Sequence, residues 1–429
     1  MAPQENALKM EANNKPTWRV YNGYLLEYSI YAFVITYLYT IRLSNAVALV
    51  MLFFALLSNP LKDKWAKLKS RKELMLHPLY FILISIGVLY STDMKYGVSF
   101  IDRSIPFFLM SALLGTSEFN EKRIVPRAAM IFVLNTIVAA LYCLAQNVIF
   151  FRENHVDFKR FFDWEYSYEH LSDFIGLHPT YFSIVVLSAI IILILLPGIT
   201  VLWQKIVRVL LVVFLSFFII LLGSKICIVI LFAYSNVALL LYLKRKKNLK
   251  AILLYVFVNV ALFTIAFNTH VIYWRFAMAY ETAKNTLNGT GQSEYRFMHW
   301  KCASYAIRQK PIWGWGTADS TTPLNECYRA SNMTELLDYN AHNQYLDTWV
   351  KIGLPGLIIV FLCLAAPFYV AVRRGDYAFA AIFSVYLVVA LTECIFTVQK
   401  GILLHSFITS IYFGHICILA KKGDPLSQL

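Results

Sequence analysis

Runs of roughly 20 apolar residues recur from one end of the chain to the other, and a helix of that length crosses a bilayer core of about 30 Å. The pattern predicts twelve spans, at about 24–41, 44–58, 76–91, 101–116, 128–150, 178–197, 205–222, 226–243, 251–268, 353–372, 377–396 and 402–420. One polar interval, 269–352, is far longer than the rest, and within it Tyr295, Met298, Cys302, Tyr305 and Ala306 recur at three- and four-residue spacing, an amphipathic helix. Ser293 reads as its N-cap and Pro311 as its end. The expected fold is therefore all-α: a polytopic integral membrane protein of about 12 helices, with a membrane region over 1–268, a long loop over 269–352 and a second membrane region over 353–429.

Composition agrees. Of 429 residues, 59% are hydrophobic and 15% charged, and mean hydropathy is +0.58, whereas soluble domains carry about 25% charged residues. The polar start lacks the apolar core of a cleaved signal, so the first span is expected to be retained. Charge then orients the spans. Loop 59–75 holds Lys62, Lys64, Lys67, Lys69, Arg71 and Lys72; connection 244–250 is similarly basic, the tenth span ends at Arg373 and Arg374, and the last at Lys421 and Lys422. All fall on one side in a twelve-span chain, which makes that side and both termini cytoplasmic. The net charge of +14 is thereby read as membrane orientation and attraction to anionic membrane lipids, not nucleic-acid binding.

Candidate chemistry collects on the opposite, outward side. Arg103 stands at the mouth of the fourth span, where arginines commonly reach for headgroups. His178 and Tyr181 flank Pro179 at the entry to the sixth span. They fit interfacial anchoring and substrate contact equally. Lys225 lies in a Gly223–Lys225 turn between two apolar runs, too close to the membrane to be left unbalanced; an anionic ligand is the favoured partner over snorkelling. In the long loop, Arg296 and Trp300 share a helix stripe and are placed to stack. Asn340 is read as a helix cap, which sets His342 in the first turn, where the dipole favours a neutral imidazole able to accept a proton. Glu393 either pairs with Lys400 or orients another group. Seven cysteines show no CxxC spacing. Cys302 and Cys327 share the loop, where a disulfide is open to them, but are read as small packing residues. No metal-ligand cluster and no cofactor motif is present, so no metal or cofactor is expected.

Several of these residues carry a resemblance. HNQYLDTWVKIGLPGL, beginning at His342 and Asn343, looks like the HNxxL element of the O-antigen ligase and polymerase superfamily with its glycine-bounded span start. Arg296, Trp300 and PIWGWG resemble the family's R-x3-W…P-x-x-G-x-G element; LTECIFTVQKGILLHSF, with Glu393, resembles its penultimate-loop element, and HPTYFS at His178 a lineage-specific form. The resemblance implies a bacterial inner-membrane glycosyltransferase facing the periplasm, which would make 269–352 a periplasmic loop. It implies transfer of an undecaprenyl-diphosphate-linked glycan to a sugar hydroxyl of lipid A–core, without a metal. His342 then matches the histidine proposed to activate the acceptor, and Arg296 an arginine on the diphosphate. Lys225 stands where many members have arginine, keeping the charge but losing the bidentate fork. Arg103 and Lys400 are further diphosphate candidates, with His178, Tyr181, Trp300, Asn343 and Glu393 in support.

O-antigen ligase is the favoured function, with O-antigen polymerase as the alternative within the superfamily; a protein-glycosylating relative is expected to carry more C-terminal sequence than ends here at Leu429. A twelve-span transporter fits the helix count, but the halves show no repeat, and glycine is sparse at 17 residues.

Overall fold

A computed structural model describes residues 17–163, 165–195, 201–246 and 295–416, together with isolated positions between 252 and 284. Most of the predicted ninth span and of the first part of the long loop, with the Ser293 cap, connection 247–250 and the terminal Lys421 and Lys422, lies outside the described residues.

The described residues form helices throughout. The first two are α1 (Thr17–Thr36) and α2 (Ile41–Leu57), joined by a short turn. The basic loop after them is itself helical, α3 (Leu61–Ser70), bent 98° from α2. Not all its charge faces solvent: Lys64 is buried, donating to the Ala55 carbonyl at 2.7 Å and Asn59 Oδ1 at 2.6 Å, which ties the bend together. Next come α4 (Leu76–Leu89), α5 (Met94–Leu109, continued by a π turn Met110–Leu114) and the long α6 (Glu121–Glu153). Glu27 of α1 is buried and ion-paired with Arg123 and Arg127 of α6, a structural use for a carboxylate on a membrane helix.

After the short α7 (Tyr168–Asp173) comes α8 (Pro179–Leu195). Its sequence, PTYFSIVVLSAIIILIL, is apolar all round, and it is buried almost all round, the central post of the bundle. Helices α9 (Leu202–Leu222) and α10 (Lys225–Lys246) reverse through Gly223, whose φ of +59° ends α9 in the left-handed conformation. The insertion contributes α11 (Tyr295–Gln309) and α12 (Thr321–Ala330), and the chain closes with α13 (Gln344–Arg374), α14 (Tyr377–Val389) and α15 (Gln399–Ile411).

Five described helical segments are long and apolar enough to cross a membrane: Lys72–Leu89, Met94–Leu114, α6, α9 and α13. Six result if the bent pair α2 and α3 is one span; α8, Lys225–Leu240 and α14 are apolar but shorter. The sequence spans differ from the helices in three informative places. The fourth begins earlier, at Met94, with Asp93 accepting from the Tyr96 amide as N-cap. The tenth begins earlier, at Gln344, but is interrupted at Ile352 and Gly353, where the apolar run was read to start. The eleventh stops at Val389, not 396, because residues 390–398 leave the helix for a series of turns.

The insertion has a small core of its own. Met298, Cys302, Ala303, Ala306 and Ile307 of α11 meet Leu324, Cys327 and Tyr328 of α12. The sequence stripe was half right: Tyr295 and Tyr305 are exposed, and His299 and Ile307 take the buried places. Cys302 and Cys327 are not simply packing residues; they form a disulfide, with Cα atoms 5.5 Å apart. A separation of 25 residues says nothing of distance in space until two helices pack side by side. A disulfide closing a loop of this size stabilises by about 2–4 kcal/mol. Cys302→Ala with Cys327→Ala is accordingly expected to lower the unfolding temperature of the detergent-solubilised protein and to open α11 and α12 to protease first; unchanged proteolysis of this segment would count against the tie.

Candidate functional site

Two glycine-rich stretches far apart in sequence build the platform for the site. At Gly353 the backbone has φ +68° and ψ −161°, which breaks α13 between its first turns and its membrane run. Into the break docks the PIWGWG turn. The Leu354 amide donates to the Pro311 and Ile312 carbonyls at 3.0 and 3.2 Å, and the Trp315 and Gly316 amides donate to the Val350 and Lys351 carbonyls at 2.8 and 2.9 Å. A Cβ at Gly353 would overlap the Ile312 carbonyl, and one at Gly314 would press on the Lys351 carbonyl. Trp349 Nε1 adds a bond to the Pro311 carbonyl at 2.9 Å, and Trp315 Nε1 one to the Ala306 carbonyl at 2.9 Å. The Thr317 hydroxyl donates to the Ile84 carbonyl at 2.8 Å, so the insertion is pinned to α4 as well.

On this platform α13 begins three residues later than the sequence implies. Its cap is Asn343, whose side chain accepts from the Tyr345 and Leu346 amides, and not Asn340. His342 is therefore outside the helix, at φ +43°. Asn340 instead closes a turn, accepting from the His342 amide at 2.9 Å. The physical reason lies downstream: the Asn343 side-chain amide donates to the Leu391 carbonyl, the Gln344 amide to the Ala390 carbonyl, and Gln344 Oε1 accepts from the Phe396 amide at 2.7 Å. The start of α13 is stitched to the loop after α14, and that loop carries Glu393.

Glu393 joins the two leading candidates. Its Oε1 lies 3.2 Å from Arg296 Nη2, and its Oε2 lies 3.6 Å from His342 Nδ1. The side chain of Glu393 is 12% exposed, that of His342 29% and that of Arg296 36%, so the trio runs from interior to surface. The last contact is long for a hydrogen bond in the resting site and within reach of a small adjustment. His342 and Glu393 line a cavity of about 240 Å³ together with His178, Tyr181, Asn340 and Lys400.

The remaining candidates divide. His178 is exposed at the rim and caps α8 through its Nδ1, which accepts from the Thr180 amide at 3.3 Å; buried Tyr181 donates to the Cys394 carbonyl at 3.3 Å. Lys400 lines the cavity but does not pair with Glu393; its Nζ turns to the Tyr39 and Leu38 carbonyls at 2.5 and 3.4 Å, at the end of α1. Lys225 opens α10 and is half-buried, two residues before Cys227, whose sulfur lies 4.0 Å from the Thr180 carbonyl beside His178. It does not line the cavity, and neither does Arg103, whose guanidinium covers the Tyr96 and Phe100 rings of its own helix at 5.5 and 5.4 Å. The expected stack of Arg296 on Trp300 is replaced: Arg296 reaches Glu393, and Trp300 packs edge-on against Phe297.

Three neighbours escaped the sequence reading. His299 and Tyr339 lie against the His342 ring, with centroids 4.8 and 5.8 Å from it, and Tyr328 stands behind His299, its hydroxyl 2.7 Å from His299 Nδ1. The one signal in the sequence was spacing, since His299 is three residues after Arg296 and so shares its helix face.

The geometry can now be compared with known proteins. A family model described as O-Antigen ligase matches residues 210–361. That match contains Arg296, His342 and Asn343 but stops short of Glu393 and Lys400. A curated relative from Haemophilus influenzae, described only as an uncharacterized protein, is 33% identical over 81 residues, 18% of this chain and 20% of its own. The chain thus matches about a fifth of the length of that relative. The matched segment, which is similar to the O-antigen ligase family, carries the break in α13, the arginine and the histidine of the site.

Proposed function

We propose that the protein is an O-antigen ligase, which moves a glycan from an undecaprenyl diphosphate carrier to a sugar hydroxyl of lipid A–core at the periplasmic face of the inner membrane. The observation that carries this is the Glu393 carboxylate, which lines one cavity with His342 and also contacts Arg296, in a chain whose residues 210–361 match a model of this family. In the proposed step the acceptor hydroxyl oxygen bonds to the anomeric carbon as the bond from that carbon to the diphosphate oxygen breaks. The hydroxyl proton passes to the imidazole of His342, and the bonding pair leaves with the diphosphate. With Nδ1 turned to Glu393, the other ring nitrogen is the one left for the hydroxyl. Glu393 orients the ring and steadies the imidazolium that forms. Arg296 faces the negative charge that grows on the leaving group, and Lys225, Lys400 and Arg103 are the further cations proposed for the diphosphate.

The basic connections support twelve spans with both termini cytoplasmic and residues 269–352 periplasmic. The family match gives a transporter no support. The test is complementation. Expressed in a strain lacking its own ligase, with compatible core and O-chain, the protein is expected to restore the lipopolysaccharide ladder on a gel. Unligated lipid-linked polymer in its place, with expression confirmed, would reject the ligase, and rescue of a polymerase-deficient strain would reassign the protein to chain polymerisation.

A further inference from the structure

We infer that His299 is a positioning residue for His342, an inference that rests on the reading of His342 as the proton acceptor. His342 needs support from outside its own backbone. It lies between a turn and a helix cap, at a positive φ that non-glycine residues seldom adopt, so no helix sets the direction of its ring. Glu393 holds one edge. The face is covered by His299, inclined 31° to it with centroids 4.8 Å apart, and Tyr339 completes a group of three rings, 5.8 Å from each histidine.

His299 itself is rigidly mounted. It is 3% exposed, and its Nδ1 shares a hydrogen bond of 2.7 Å with Tyr328, which is fully buried. Cys302 follows His299 by one turn of α11, and Cys327 precedes Tyr328 on α12, so the disulfide and this hydrogen bond are parallel ties between the same two helices. Arg296, one turn before His299, reaches the other oxygen of Glu393. One face of α11 thus grips both members of the Glu393 and His342 pair. The charge state suits the role: burial, with His342 and Arg296 nearby, presses the His299 pKa down to about 4, so at neutral pH an uncharged ring covers His342. Such a ring does not oppose the imidazolium that proton transfer creates, whereas a second cation there would.

The experiment uses the full chain in lipid nanodiscs, with a polyprenyl-diphosphate-linked glycan as donor probe and purified lipid A–core as acceptor. His299→Leu fills the space without a flat ring, and His299→Phe keeps the ring but loses the bond to Tyr328. Since a displacement of about 1 Å at a reacting group costs on the order of 100-fold, His299→Leu is expected to lower kcat by about 10- to 100-fold with KM for donor and acceptor unchanged. His299→Phe is expected to recover most of it. Tyr328→Phe, which leaves the cavity intact, is expected to lower kcat more mildly and remains the test should His299→Leu fail to fold or to form its disulfide. A rise in KM at constant kcat, equal losses in the Leu and Phe variants, or a fully active Tyr328→Phe with the same result for His299→Leu would overturn the inference. Full activity in His342→Ala would instead overturn the proposed function, which keeps the two failures apart.

Discussion

His342→Ala is expected to reduce transfer by about 10²- to 10⁴-fold, the range contributed by a positioned general base, while leaving the donor bound. The His342 imidazole lines the cavity and is already oriented, with Nδ1 directed at Glu393 and its face against His299. Arg296→Ala should cost about 10²- to 10³-fold, as loss of one preorganised electrostatic donor does. It also strips Glu393 of its closest cationic partner, at 3.2 Å. Glu393→Gln separates these effects. It keeps the size of the side chain and removes the charge that links the two, so it should lower kcat less than either alanine variant and should not add fully to His342→Ala, because both act on one proton transfer. The measurement is single-turnover transfer by the reconstituted protein, with donor binding followed separately. Turnover in His342→Ala at a tenth of the native rate or more would sink the general-base role, and strict additivity of the double variant would sink the proposed link through Glu393.

How the site was legible in the sequence depends on which residues are considered. His342, Arg296 and Glu393 are all visible as unusual polar residues in the motifs, but no motif sets a distance between positions 296, 342 and 393 or chooses between the two roles open to Glu393. The contacts of its carboxylate follow from the loop after α14. Stitched to Asn343 and Gln344, it turns the carboxylate toward Arg296 and His342 while Lys400 is drawn to the end of α1. The same stitching moved the helix cap from Asn340 to Asn343, a shift of a few residues that local propensity does not resolve. His299 was invisible for another reason: a histidine on the buried side of a helix looks like any core histidine until its neighbours are known. The five or six described segments long and apolar enough to cross a membrane, by contrast, are legible because apolar length is a property of sequence alone. Helix ends are not, since α14 stops where tertiary hydrogen bonds compete successfully with the helix.

Gly353→Ala carries the second large effect, and it tests the platform and not the chemistry. The backbone there, φ +68° with ψ −161°, belongs to a region that is essentially reserved for glycine and costs any other residue about 1–3 kcal/mol. The added methyl would also overlap the Ile312 carbonyl, which is backbone and already accepts from the Leu354 amide. Relief requires the PIWGWG turn to leave the break, and the Trp315 and Gly316 bonds to Val350 and Lys351 go with it. The segment leading to His342 would then lose its register against α11. We expect loss of transfer to near background with a clear fall in thermal stability, although position 353 touches no proposed substrate. Gly375→Ala supplies the control. That glycine also has a positive φ, +78°, but nothing lies within 4 Å of where its Cβ would be. It should show the backbone penalty alone, about 1 kcal/mol, with transfer intact. If the two alanine variants lose stability and activity equally, the docking of the turn into the broken helix is not what holds the site; if only Gly353→Ala fails, the break is what brings Arg296 and His342 onto one carboxylate.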